Sequence, residues 1–311
     1  MKKKPHISIL LPVFNFTDVM PTINSILCQS YTNFELIICD DGSSPKMILP
    51  DLNDKRIKIL FNKQNIGLGP TLNRLLECSH NESKYFATIE QDDIYKPYYI
   101  NDCLKFLENN SDYGLVSGIS EFWDGEKVRY NFPGIIAAGE EYPFGVKMFL
   151  INYRNQIKVA QTCMVVRKKV HYDNSLIFSK KYSSLSVDWD YILRFSLISK
   201  IKGIKKVFVR QDRRKERLSL TTKHNLAGQI VRELLKDFST EFGELISFDD
   251  YRYALSTQIY VELGNLKYIS RIKSILFTLV FLDPDKKRVF MRIKKEVFNI
   301  KLIKGIKFWK K

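Results

Sequence analysis

The chain has 311 residues, 45% of them hydrophobic and 27% charged, with a formal net charge of +16. That composition excludes a disordered chain, and at ~150 residues per domain it suggests two domains or one α/β domain with an appendage. The charge predicts an anionic partner such as a nucleotide, a nucleic acid or a membrane surface. Residues 7–13 are a continuous apolar run, as expected of a buried parallel strand. Thr17 or Asp18 is positioned to cap the next helix, whose apolar residues include Val19, Ile23, Ile26 and Leu27. Residues 34–39 read as a second strand, ending at Asp40-Asp41-Gly42-Ser43, and 57–61 as a third. A Gly-Leu-Gly-Pro turn at 67–70 opens a helix through Leu72, Leu75 and Leu76. Residues 85–89 form the fourth expected strand, ending at Glu90-Gln91-Asp92-Asp93. A helix over 97–107 and a strand over 114–119 follow. Alternating strands and helices predict a doubly wound, mostly parallel α/β sheet. Beyond it, the spacing predicts a helix over 140–153, a strand over 159–166, a helix over 187–198, and one or two amphipathic helices over 225–265.

Five cysteines, Cys28, Cys39, Cys78, Cys103 and Cys163, form no C-x-x-C pair and are odd in number. A disulfide framework and a cysteine zinc site are not expected, and a reducing, cytosolic setting is. The N-terminus starts with lysines like a signal peptide, but Pro12 and Asn15 interrupt the apolar stretch and no cleavage site follows. The longest uncharged apolar run, 274–282, falls far below the ~20 residues that span a bilayer. The four histidines show no metal-ligand spacing, and the chain has no P-loop, no G-x-S-x-G and no complete G-x-G-x-x-G. No internal repeat or low-complexity segment is present.

In a doubly wound sheet the ligand crevice lies beyond the carboxyl ends of the strands. Asp40-Asp41 and Asp92-Asp93 each follow a strand and should face it together. Adjacent carboxylates repel, and a divalent cation such as Mg2+ or Mn2+ would relieve them. A solvated acidic turn or a helix cap before Pro97 explains Asp92-Asp93 equally well. Asp188 and Asp190 flank Trp189 at a helix start and point in different directions. One is free to face the crevice as a general base while the other caps the helix or pairs with Arg194.

The ordered combination is more specific than its parts. Residues 7–15 (ISILLPVFN), 25–31 (SILCQSY), 34–43 (FELIICDDGS), Asn65-Ile66-Gly67 and Asp92-Asp93 together resemble glycosyltransferase family 2 and its GT-A fold. The likeness extends over roughly residues 5–220 and includes 162–167 (TCMVVR) and 187–194 (VDWDYILR). It implies a Rossmann-like GT-A domain at 1–220, with a nucleotide-sugar half at about 1–120 and an acceptor half at about 121–220. It further implies that Pro12, Phe14, Asn15, Asp41, Asn65, Gly67 and Asp92 bind the nucleotide sugar, Asp41 through the base. Asp93 would hold Mn2+ or Mg2+, and Asp188 would be the general base of an inverting displacement. The implied donor is UDP-linked, and the implied acceptor is a saccharide or lipid-linked saccharide in bacterial surface polysaccharide synthesis (O-antigen, capsule or lipooligosaccharide). Three positions depart from the pattern. Gln91 interrupts the acidic motif, Val187 stands where the family has Glu, and the loop from Arg210 to Ser219 lacks a histidine. That loop offers Arg213, Arg214, Lys215 and Arg217 as cations for a diphosphate. Gln91 and Val187 motivate the alternative of a catalytically inactive binding or scaffold protein.

Residues 221–311 are expected to be a helical, basic appendage. Residues 266–311 hold 14 lysines and arginines against three acids. Their mixture with apolar residues at 269–282 and 289–309 suits an anionic membrane surface. The expected location is cytoplasmic, peripheral at the inner face of the cell membrane. A nucleic-acid partner is not expected, because most of the positive excess lies in the tail rather than in a groove of the folded domain.

Overall fold

The computed structural model describes residues 6–50, 52–132, 141–142, 159–182, 186–214, 227–263 and 281–294. The chain divides into two compact units, Met1–Asn225 and Leu226–Lys311. The strands of the first are β1 (His6–Val13), β2 (Phe34–Asp40), β3 (Ile57–Phe61), β4 (Ser83–Thr88), β5 (Ile94–Tyr95), β6 (Tyr113–Trp123), β7 (Val128–Phe132), β8 (Glu141–Tyr142), β9 (Met164–Arg167) and β10 (Lys200–Asp212). Its helices are α1 (Met20–Leu27), α2 (Leu68–Glu77), α3 (Tyr99–Asn109), α4 (Lys168–Asp173) and α5 (Val187–Ser196).

The sheet runs β3-β2-β1-β4-β9-β6-β10-β5, with β7 against β6 and β8 against β10. Its longest ladders are parallel, between β1 and β2, β1 and β4, β2 and β3, and β6 and β10. β9 lies antiparallel between β4 and β6. Two reversals restore the common direction, so β1, β2, β4, β6 and β10 all end along one edge of the sheet. Alternate residues serve opposite faces. Ile7, Ile9, Leu11, Leu36 and Ile38 pack with α1 and α3, whereas Leu10, Ile37, Cys39 and Phe86 pack with α2 and α5. Burial on both faces is why these strands read as unbroken apolar runs.

Three local expectations change. α1 has Val19 at its N-cap with no side-chain cap from Thr17 or Asp18. Pro21 occupies its first turn and carries no N–H, which removes one donor that a cap would satisfy. Residues 141–142, expected in a helix, instead pair with Ile201 and Lys202 of β10, whose backbone groups need partners at that edge. The rest of 140–153 lies outside the described residues. The strand expected over 159–166 begins only at Met164, because Gln161–Cys163 forms a 3-10 turn. Thr88 and Ser117 hydroxyls hold that turn by donating to the Gln161 and Cys163 carbonyls at 2.6 and 2.5 Å. The one or two helices expected over 225–265 are present as two, α6 (Ala227–Glu241) and α7 (Phe248–Leu263), in the second unit. Among the described residues no helix is long and apolar enough to cross a membrane.

Candidate active site

The site grows from the turns that follow β1, β2, β4 and β10. Asp40 closes its own turn: its carboxylate accepts the Ser43 and Met47 N–H groups at 2.9 and 2.8 Å. Asp41 is buried and reaches across to the next loop. It accepts the Asn62 amide at 2.6 Å and the Ile66 and Gly67 N–H groups at 3.0 Å each. A carboxylate offers about four lone-pair sites, so one remains for a ligand. Gly42 has φ +74°, and a Cβ there would lie 2.3 Å from the Gln64 carbonyl carbon and 2.5 Å from the Asn65 nitrogen. Only glycine lets the Asn65 backbone lie against this turn.

Beyond β1 the chain forms a ledge. Pro12 is buried in the strand opposite Cys39. The Phe14 ring is 41% exposed, while its backbone is gripped by one side chain. Its N–H donates to Gln91 Oε1 at 2.8 Å, and its carbonyl accepts from Gln91 Nε2 at 3.4 Å. Asn15, at φ +48°, donates its N–H to Ser43 Oγ and accepts the Ser44 N–H on Oδ1, both at 2.9 Å. The ends of β1, β2 and β4 are thereby tied together.

Glu90, Asp92 and Asp93 bring one oxygen each within 4.8 Å of one another. Asp93 is 1% exposed; its Oδ1 accepts the Asp212 N–H at 3.3 Å, and its Oδ2 is buried without a hydrogen-bond partner. Burial pushes the Asp92 carboxyl up to about 6, and the neighbouring Glu90 charge adds to the rise. Burial, then Glu90 and Asp92, hold Asp93 well above the usual carboxylate range. Burial also raises Glu90, with Arg213 opposing and Asp188 adding. An acidic trio of a buried Asp93 and half-buried Glu90 and Asp92, with an orphaned oxygen, fits a hard divalent cation, which takes carboxylate ligands and offsets their mutual repulsion.

Two basic residues follow β10, and their surroundings separate them. Arg214 is spent on Asp212, with Nη2 to Oδ2 at 2.6 Å and Nε at 3.0 Å. Among the described residues Arg213 pairs with no carboxylate in this way: its guanidinium donates to Gln211 Oε1 and lies 4.8 Å over the Phe122 ring, its N–H donates to the Trp123 carbonyl at 2.7 Å, and its charge lowers the pKa of all three acids. Lys215, Arg217 and His224 lie outside the described residues. On α5 the two aspartates part company. Asp190 is 2% exposed and accepts from Arg194 Nε at 2.9 Å. Asp188 is half-buried and close enough to Glu90 to raise its pKa. Val187 is 1% exposed and packs into the core beneath α2.

Residues 8–174 match the sequence model of Glycosyl transferase family 2. The chain belongs to this family. A glycosyltransferase of Haemophilus influenzae, itself uncharacterised, is 26% identical and covers 97% of this chain and 95% of its own. The Escherichia coli protein WfgD, a UDP-Glc:alpha-D-GlcNAc-diphosphoundecaprenol beta-1,3-glucosyltransferase, is 23% identical over 60% of this chain and 85% of its own. S. aureus TarS 1-349 in complex with UDP-GlcNAc superposes with a TM-score of 0.57 at 13% identity, covering 86% of this chain and 78% of its own. At that identity the likeness establishes the fold, which is of GT-A type.

Within this glycosyltransferase family 2 domain, Phe14, Asn15, Asp41, Gly67, Asp92 and Asp93 are linked by the contacts above along one sheet edge, and Asn65 lies against Gly42. Asp188 reaches the same place from α5. Asp212 is the residue that the sequence alone did not single out. The sequence reading places it in the loop from Arg210 to Ser219, whereas it ends β10 and so stands at a strand end as Asp40 does.

Proposed function

We propose that the protein is an inverting, metal-dependent hexosyltransferase. It moves a sugar from a UDP-linked donor to a saccharide or lipid-linked saccharide acceptor in bacterial surface polysaccharide synthesis. The observation that carries this reading is the acidic trio Glu90, Asp92 and Asp93, with the buried, orphaned Asp93 Oδ2, facing Arg213 and Asp188 at the carboxyl ends of the strands. The substrate named for WfgD and the UDP-GlcNAc complex of TarS support a UDP-linked donor. Residues 1–120 would bind the nucleotide sugar and 121–220 the acceptor. The half-exposed Phe14 ring offers a stacking surface for the base, and Asp41 an acceptor for a base N–H.

Asp93, with Asp92 or Glu90, would hold Mn2+ or Mg2+, which supplies positive charge against the diphosphate. Asp188 takes the proton of the acceptor hydroxyl as its oxygen attacks the anomeric carbon. The bond from that carbon to the diphosphate oxygen breaks on the opposite side, so configuration inverts. Its electron pair leaves with UDP, towards Arg213. The two departures that motivate an inactive scaffold have local accounts, since Gln91 grips Phe14 and Val187 fills the core.

The test is binding and hydrolysis of UDP-, GDP- and dTDP-linked hexoses with and without Mn2+ or Mg2+. One UDP-hexose should bind and turn over only with metal. Asp188→Asn should keep donor binding and lose about 10²- to 10⁴-fold in turnover, the usual contribution of a general base. Folded protein that binds no nucleotide sugar would favour the scaffold instead.

A further inference from the structure

Residues 281–294 form an element whose two sides differ in chemistry. Asp283 Oδ1 accepts the Asp285 N–H at 2.9 Å, and Asp285 Oδ1 accepts the Arg288 N–H at 3.0 Å. Asp285 thereby caps the helix over 286–294. One side of this helix is committed inward, onto α7. Arg288 Nε donates to the fully buried Asp283 carboxylate at 2.8 Å. The same guanidinium donates to Ser256 Oγ at 2.6 Å and Thr257 Oγ1 at 2.8 Å, and lies 3.2 Å over the Tyr253 ring. Val289 is buried on this side as well. A buried ion pair with its hydrogen bonds in place cannot be turned outward cheaply, so it fixes the rotation of the helix.

The opposite side is therefore presented to solvent. Lys287, Phe290, Met291 and Lys294 recur at three- and four-residue spacing and are all exposed, Phe290 at 64% and Met291 at 59%. Phe281, at 70% exposed, starts the element. Arg252 donates to its carbonyl at 2.8 Å while standing 5.7 Å over the ring of Phe248, which is 74% exposed. Large apolar side chains at such exposure, adjacent on one side of a helix as Phe290 and Met291 are, mark an interaction surface.

We infer that this face docks on an anionic phospholipid bilayer. The exposed helix side carries lysines and no acid, because Asp283 lies under Arg288 and Asp285 is engaged as the cap. Lysines beside Phe and Met suit the boundary between lipid headgroups and acyl chains. A second copy of the chain is a poor occupant, since a lysine face opposed to itself repels. Bare phosphate chains of nucleic acid would leave the apolar side chains unburied. The inference stands on the second unit alone and holds whether or not the first is a transferase.

The experiment is sedimentation of the full chain with vesicles of phosphatidylglycerol and phosphatidylcholine, against phosphatidylcholine alone. Binding is expected only to the anionic vesicles. Lys287→Ala and Lys294→Ala should each weaken it about fivefold. The double variant Phe290→Ser with Met291→Ser keeps the charge and should still weaken it at least about tenfold. These side chains are exposed, and an unchanged thermal melt confirms that the variants fold. Equal binding to both vesicle types would overturn the inference. So would full binding by the Phe290/Met291 variant, or a solution dimer that this variant dissolves. Absence of donor hydrolysis in every form would instead count against the transferase reading and leave the vesicle result standing.

Discussion

Gln91 shows how a single side chain couples two parts of the site. A carboxylate at this position would accept the Phe14 N–H but has nothing to donate to the Phe14 carbonyl. The amide does both, at 2.8 and 3.4 Å. The Gln91 backbone carbonyl accepts the Thr22 hydroxyl at 2.9 Å, which anchors the acidic turn to α1. Gln91 is thus a positioning residue, holding the Phe14–Asn15 ledge at a set height above the trio. Gln91→Glu should turn the longer hydrogen bond into a repulsion and add a fourth carboxylate to the turn. One lost hydrogen bond is worth about 0.5–1.5 kcal/mol, so donor KM should rise about two- to tenfold while kcat changes less. Gln91→Ala, which loses both bonds without adding charge, should raise KM similarly. Steady-state kinetics on the donor decides the matter: a fall in kcat at constant KM would contradict a positioning role.

At the level of elements, α4 and α5 are joined through an unusual core. His171 of α4 is 4% exposed, its Nδ1 lies 3.0 Å from the Tyr191 hydroxyl of α5, and its ring packs among Phe86, Phe178 and Tyr191. Burial lowers its pKa to about 4. The native histidine is therefore neutral where an unfolded one, with a pKa near about 6.5, is taking up a proton. The stability that it contributes is fully present above that value and declines as pH falls towards about 4, by up to about 1.4 kcal/mol per pH unit. His171→Phe keeps the packing, loses the Tyr191 hydrogen bond, and removes the titration. Urea unfolding should find this variant less stable than the parent at pH 7, with the gap closing or reversing at pH 5; parallel curves would exclude His171 as the cause. The same elements show what the sequence could reveal. β1 and β2 were legible because burial on both faces leaves an apolar run, and α2 because a single apolar stripe leaves a helical one. The antiparallel insertion of β9 between β4 and β6 was not, because an apolar run carries no direction. The acids at the strand ends were legible by the same topology. Arg213 could not be told from Arg214, since the choice depends on the fold setting Arg214 against Asp212 and Arg213 against Gln211.

Across the whole molecule the charge is divided unevenly. Residues 266–311 supply eleven of the sixteen net positive charges, leaving five for the first 265 residues. Within the site, Arg213 is set against Glu90, Asp92 and Asp93, so the crevice is not a positive funnel. Donor recognition must then rest on contacts made at bonding distance, whereas the proposed attraction of the tail to a lipid surface would act over the Debye length. Raising salt from about 0.05 to about 0.5 M shortens that length from about 14 to about 4 Å. Vesicle binding should consequently collapse by more than about a hundredfold, since each lysine near an anionic surface contributes about 1 kcal/mol at moderate salt. Donor KM, measured on the same protein at saturating metal, should move by less than about threefold. If KM instead rises in step with vesicle release, the tail draws the nucleotide sugar in by its field, and the two units do not divide the work between donor and membrane.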